Sequence, residues 1–170
     1  MKAILYTSNT GHTKKYAQLI GKKIDCEVYT LKEADKKLTH DDEIIYLGWL
    51  FANRIQGYPK ASKRYKIRAV LAVGLCDSGT ALEEVIRENK IPKDTALFTV
   101  QGGMNKRALA LPHRLAIQIL IKSMESKKVK SSDEQRMIYL LKNDRNYVCE
   151  ENLQSFYQWF FSERSGAVRM

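Results

Sequence analysis

Five short, mainly apolar segments recur along the chain, and each ends where small or polar residues begin. They are Lys2–Thr7, Glu27–Leu31, the run Ile44–Leu47 that opens at Asp42 and stops at Gly48, Ala69–Val73 continuing to Gly74, and Ala96–Val100 ending at Gln101-Gly102-Gly103. Short runs with little alternation between apolar and polar side chains read as strands covered on both faces. The segments between them change period. Lys14–Lys23 sets Ala17, Ile20 and, one turn on, Ile24 at helical spacing, with Lys22 and Lys23 where the helix dipole favours cations. Ala81–Asn89 supplies a helix between the fourth and fifth strands. This alternation predicts an α/β domain of three layers, a parallel sheet carrying helices on both faces through right-handed crossovers. Ligands of such sheets bind beyond the carboxyl ends of the strands. The segments after the first, third, fourth and fifth strands are therefore where function is expected.

After the fifth strand the alternation breaks. Asn105–Met124 reads as helical, with Pro112 breaking it or starting its second half, and Ser132–Lys142 reads as another helix. The closing helix is expected over Glu150–Ser162, where Leu153, Phe156, Tyr157 and Phe160 fall at i, i+3, i+4 and i+7. A helical insertion of about residues 104–147 thus precedes the last helix, much longer than the usual connection of about 2–6 residues. Within it, residues 115–121 are apolar nearly all round. That predicts a core helix with a stripe on Leu115, Ile119 and Ile121, and a lid over a ligand is the alternative.

Composition narrows the class. With 170 residues, 44% of them hydrophobic and 28% charged, and without linker, repeat or low-complexity tract, the chain reads as one domain over 1–170. No apolar run approaches the roughly 20 residues needed to span a bilayer. The amino terminus lacks the small-residue cleavage site of a secretory signal. Cys26, Cys76 and Cys149 are odd in number and far apart, which suits neither a disulfide framework nor a zinc site. A cytoplasmic protein is expected. Lys and Arg total 29 against 19 Asp and Glu, a formal charge of +10. The excess gathers in Lys60, Lys63, Arg64, Lys66 and Arg68, and again in Lys122, Lys127, Lys128 and Lys130. Such a surface attracts polyanions or is simply a solvated face. No recognition helix, zinc finger or RNA-binding pattern accompanies it, so nucleic acid is not an expected partner. His12, His40 and His113 have no metal-ligand spacing.

The loop Ser8-Asn9-Thr10-Gly11-His12-Thr13, between the first strand and the first helix, carries the most chemistry. Hydroxyls at 8, 10 and 13, a glycine that lets the backbone curl, and the unpaired N–H groups of the following helix can surround a phosphate. The loop holds no lysine and matches neither the triphosphate-binding Gly-x-x-x-x-Gly-Lys pattern nor Gly-x-Gly-x-x-Gly. An uncharged cradle suits a monophosphate. Ile4, Leu5, Tyr6, Ser8, Gly11, Thr13, Ala17 and Ile20 match in register the signature of the flavodoxin family, which this chain resembles.

The resemblance implies a flavodoxin-like fold with five parallel strands in the order 2-1-3-4-5, and FMN as cofactor. It implies that Ser8, Asn9, Thr10, Gly11, His12 and Thr13 meet the phosphate. Gly48, Trp49, Leu50, Phe51, Ala52 and Asn53, read as the loop after the third strand, would meet the flavin ring, with Trp49 or Phe51 stacking on it. The family often has glycine where Asn53 falls, and Asn tolerates the positive φ that a glycine would adopt. Leu75, Cys76 and Asp77 would face the pyrimidine side, where many flavodoxins carry a tyrosine that this chain lacks. Asp77 also suits a cap for the helix near Ala81. Gly102 and Gly103 allow the backbone to pass close to a ligand. Basic character and the insertion resemble the subgroup that includes the menaquinone-dependent protoporphyrinogen oxidases. The implied function is an FMN-binding redox protein, serving electron transfer to a redox partner protein or reduction of a small acceptor such as a quinone, with peripheral membrane contact through the insert as a further option. The alternative is a non-catalytic binding or regulatory module with a basic docking face.

Overall fold

In the computed structural model, which describes residues 1–167, β1 (Ala3–Thr7) runs parallel between β2 (Val28–Thr30) and β3 (Glu43–Phe51). β5 (Lys66–Gly74) and β6 (Ala96–Gln101) extend the sheet in the order β2-β1-β3-β5-β6. This is the expected order of five parallel strands, with a short added strand β4 (Arg54–Ile55) antiparallel to β3. Because successive side chains point to opposite faces, each central strand feeds two cores. Ile45, Leu47, Ala69, Leu71 and Val73 cluster with Tyr16, Ala17 and Ile20 of α1 (His12–Ile24) and with Phe156 and Phe160 of the last helix, α7 (Gln154–Ala167). Ile44, Tyr46, Val70 and Ala72 cluster on the other face with α2 (Leu31–Ala34), α3 (Tyr58–Ala61) and α4 (Leu82–Asn89) through Ala34, Tyr58, Ala61 and Val85. Apolar runs with little alternation were the sequence's signature of this two-sided burial.

Three expectations about local structure need correction. β3 does not stop at Gly48 but continues through Phe51, because β4 folds back and pairs Leu50 with Ile55 and Phe51 with Arg54. The turn between them is Ala52-Asn53, with φ of 49° and 59°. Two central residues at positive φ make the tight type I′ hairpin, which sequences usually mark with Asn-Gly, so Ala52 hid the signal. Asn89 of α4 holds this hairpin from below, accepting from the Ile55 N–H at 2.8 Å and donating to the Asn53 carbonyl at 2.7 Å.

The insert differs too. Asn105–Met124 is not one helix: a 3-10 turn over Lys106–Ala108 precedes α5 (Leu111–Glu125), whose first turn holds Pro112, so the proline starts the helix. α6 (Ser132–Lys142) follows, and a two-stranded ribbon of β7 (Gly103–Met104) and β8 (Arg145–Asn146) closes the base of the hairpin. The expected stripe of Leu115, Ile119 and Ile121 is not the buried one. Ile117 is buried and clusters with Met104, Leu109 and Leu141, and Ile121 packs beside them, while Leu115 is 59% exposed and Ile119 69%. An insert with its own small core needs only one face of α5.

The basic stretch Lys60–Arg68 is engaged by neighbours: Lys60 and Arg64 by Asp35, Lys66 by Asp41, and Arg68 by Glu43 and Glu163. It is a surface ion-pair network, worth little to stability.

At Gly48 the chain around β4 passes close against the sheet. A Cβ there would lie 2.4 Å from Ile55 Cγ2 and 2.8 Å from the Gln56 carbonyl oxygen. Gly48→Ala is therefore expected to lower stability by about 1–3 kcal/mol, the usual cost of overpacking, read as a fall in the urea midpoint at unchanged slope. An unchanged midpoint would show that the hairpin is free to move away.

Candidate functional site

The carboxyl ends of β1, β3, β5 and β6 open into a cleft of about 530 Å³, within the range of small-molecule sites. Thr10, His12 and Thr13 form its polar end. Trp49, Leu50 and Phe51 with the turn Ala52-Asn53 form one wall, and Leu75, Cys76 and Asp77 the facing one. From the insert come Met104, Leu109, Ile117, Leu120, Met124, Met137 and Leu141. Their contribution is wholly apolar.

The loop after β1 is shaped for an anion. Gly11, at φ 95°, turns the chain into α1 without a side-chain cap, and its N–H donates to Ser8 Oγ at 3.1 Å. The first turn of α1 carries no acidic residue and holds Lys14 and Lys15, so the exposed N–H groups and the positive end of the dipole face the cleft unopposed. The Asn9 amide nitrogen is buried without a hydrogen-bond partner among the described residues. A buried donor left over in a loop of donors fits a bound phosphate oxygen.

His12 lines the polar end of the cleft and also borders the insert. It is buried, its Nδ1 lies 2.9 Å from Thr10 Oγ1, and the Arg145 backbone of β8 lies against its ring. In the tautomer with its proton on Nε2, the ring accepts from the Thr10 hydroxyl at Nδ1. The ring thus sits between the loop and the base of the insert. Ser8 and Thr13 keep their hydroxyl protons for a ligand.

Trp49 and Phe51 project from the same side of β3 and pack against each other with ring centres 6.0 Å apart. Both meet the edge of His113, from the first turn of α5, at 5.0 and 5.2 Å. Half-buried, they are at once cleft wall and packing for the insert. His113 was invisible to sequence reading as a partner of theirs, because only the folded hairpin brings it there.

On the facing wall, Asp77 does not cap α4. Its carboxylate pairs with Arg136 of α6, and the N-cap position is Ala81 at φ 56°. Cys76 is exposed, and desolvation with the Asp77 charge pushes its thiol up, against any reading as an activated nucleophile. Gln101 donates to the Leu75 carbonyl at 3.0 Å and holds this loop to β6. Gly103 lines the cleft, and Ser8, Asn9 and Gly11 belong to the loop whose Thr10, His12 and Thr13 line its polar end. Gly48 and Gly102 are not among the lining residues, and a Cβ on Gly102 would sit 2.6 Å from Val73 Cγ1 and 3.4 Å from His12 Cβ.

A family model described as a flavodoxin domain matches residues 3–132. The match ends inside the insert and distinguishes no subgroup. No curated protein and no solved structure matches the chain.

Burial first, and Lys15 next, hold the His12 imidazole below its ordinary 6.5, against the opposing pull of the Arg145 carbonyl. The unfolded chain then binds more protons than the folded one between the lowered value and 6.5. The contribution of neutral His12 to stability is complete above 6.5 and is lost as pH falls through the lowered value. Denaturant midpoints measured from about pH 7.5 to about pH 5.5 are expected to fall more steeply for the wild type than for His12→Gln. Parallel slopes would show that His12 does not tie the loop to the insert.

Proposed function

The chain belongs to the flavodoxin-domain family, and on that premise we propose that it is a redox protein whose cofactor is FMN, held in the cleft at the ends of β1, β3, β5 and β6. The observation that carries this reading is the anion cradle opening directly into a cleft with aromatic and apolar walls. A phosphate group suits one end and a planar ring the other. The α1 N-terminal N–H groups, the Ser8 and Thr13 hydroxyls and the Asn9 amide are the donors for the phosphate. Trp49 and Phe51 offer aromatic surface to the ring, and the backbone of Leu50 to Asn53 offers polar groups to its edge. FMN, when bound, supplies the electron or hydride chemistry, and the chain's task is anchoring, orientation and exclusion of water.

The side that lacks a tyrosine after β5 is faced by Ile117, Leu120 and Met124 of α5 and Met137 of α6. Two methionines among these give an adaptable surface. An apolar roof of this kind favours reduction of a small apolar acceptor, such as a quinone, over the polar docking that protein electron carriers use. No side chain is assigned as a catalytic acid or base.

FMN titration followed by flavin fluorescence tests the reading. FMN is expected to bind with strong quenching, and riboflavin, which lacks the phosphate, far more weakly. Thr13→Ala removes a hydrogen bond to a charged group, a loss of about 1.5–3 kcal/mol, so FMN affinity should fall by roughly tenfold or more while riboflavin affinity hardly changes. Equal affinity for the two flavins would sink the phosphate assignment, and no binding of either would sink the cofactor.

A further inference from the structure

α5 carries two apolar faces. The inward one, with Ile117 and Met124, is used by the insert's own core and by the cleft. The outward one is not used at all: Leu111 is 70% exposed, Leu115 59% and Ile119 69%. These positions, four apart, fall in one row along the helix. Single exposed aliphatic residues are ordinary, but a row of them along one helix marks a surface with a partner. At the tip of the same hairpin Val129 is 87% exposed between Lys128 and Lys130.

The charge around this row differs from the charge elsewhere. Lys122 lies on the same face, three residues beyond Ile119. Neither Lys122 nor Lys128 pairs with a carboxylate among the described residues, and the Lys130 ammonium reaches only the Lys127 carbonyl, at 2.8 Å. The other basic cluster, Lys60–Arg68, is by contrast largely matched by acidic neighbours. Unmatched ammonium groups bordering an apolar row attract an anionic surface that is itself apolar just beneath its charges. A second copy of the chain would instead set lysine against lysine, on molecules that each carry a net +10.

We propose that the outward face of α5 and the Lys127–Lys130 tip dock this protein on an anionic lipid bilayer, with α5 lying in the plane of the interface. Leu111, Leu115, Ile119 and Val129 enter the acyl boundary, and the lysines meet lipid headgroups. No helix among the described residues is long and apolar enough to cross a membrane, so the contact is peripheral. The proposal does not depend on which ligand fills the cleft.

Vesicle co-sedimentation of the purified protein tests it, with phosphatidylcholine alone and with phosphatidylserine mixed in. Binding to the anionic vesicles is expected to exceed binding to the neutral ones by roughly tenfold or more and to weaken as salt is raised. The double variant Leu115→Gln/Ile119→Gln and the double variant Lys122→Glu/Lys128→Glu should each lower it roughly tenfold at an unchanged thermal midpoint. Lys60→Gln/Lys63→Gln, on the other basic cluster, should leave it nearly unchanged. Several results would overturn the proposal. They are equal binding to both vesicles, no binding to either, equal loss from all three variants, or a dimer in sedimentation that Leu115→Gln/Ile119→Gln dissolves. No binding would leave the face to an acidic protein, and the dimer would leave it to a second copy.

Discussion

The cleft depends on how closely the backbone at the end of β6 passes beneath the first loop. A Cβ on Gly103 would lie 2.1 Å from the Arg145 carbonyl oxygen and 2.9 Å from His12 Nε2, and Gly103 itself sits at φ 149°. Only glycine allows that approach. Through it the sheet, the anion loop and the base of the insert meet within one contact distance. The Gly102 N–H donates to the Gly74 carbonyl, and the Tyr147 N–H to the Gly102 carbonyl, both at 2.8 Å. Behind this contact the Tyr16 hydroxyl donates to the Gln101 carbonyl and accepts from the Asn152 amide at 2.7 Å, while Asn152 also donates to the Tyr147 carbonyl at 2.8 Å. A buried network in which each member finds partners is rigid. It sets α1, β6, the end of the insert and the approach to α7 in one arrangement, and so sets the distance between loop and roof.

Seen from that junction, the insert is more than an extension. It is tied down at its base by the β7–β8 ribbon and His12, at its middle by His113 against Trp49 and Phe51, and at its far side by Arg136 against Asp77. Each tie lands on a wall of the cleft. The small core of Met104, Leu109, Ile117 and Leu141 then spends its apolar surface on the cleft roof rather than on the main sheet. The side chains that fold the insert are those that face the cleft. α5 can keep a second apolar face outward because its folding does not require that face.

The sequence by itself determined the layered architecture and the loop after β1, while the strand order came with the resemblance to the flavodoxin family. The first two rest on local signals: apolar runs of strand length, helical spacing at Ala17 and Ile20, and hydroxyls around a glycine at the mouth of a helix. Short-range rules act within one element, so neighbours in the chain suffice to read them. Tertiary structure alone decided the rest. Ala52 stands at a positive φ that an alanine rarely adopts, because β4 and Asn89 hold the turn. His12 lies beside the backbone of Arg145, far along the chain, where Gly103 lets the two approach. Asp77 took Arg136 instead of its own helix. Leu115 and Ile119 went outward although the run that holds them is apolar all round, since hydrophobicity drives burial without choosing a direction. Which face is buried depends on what packs against it, and that is known only once the chain has folded.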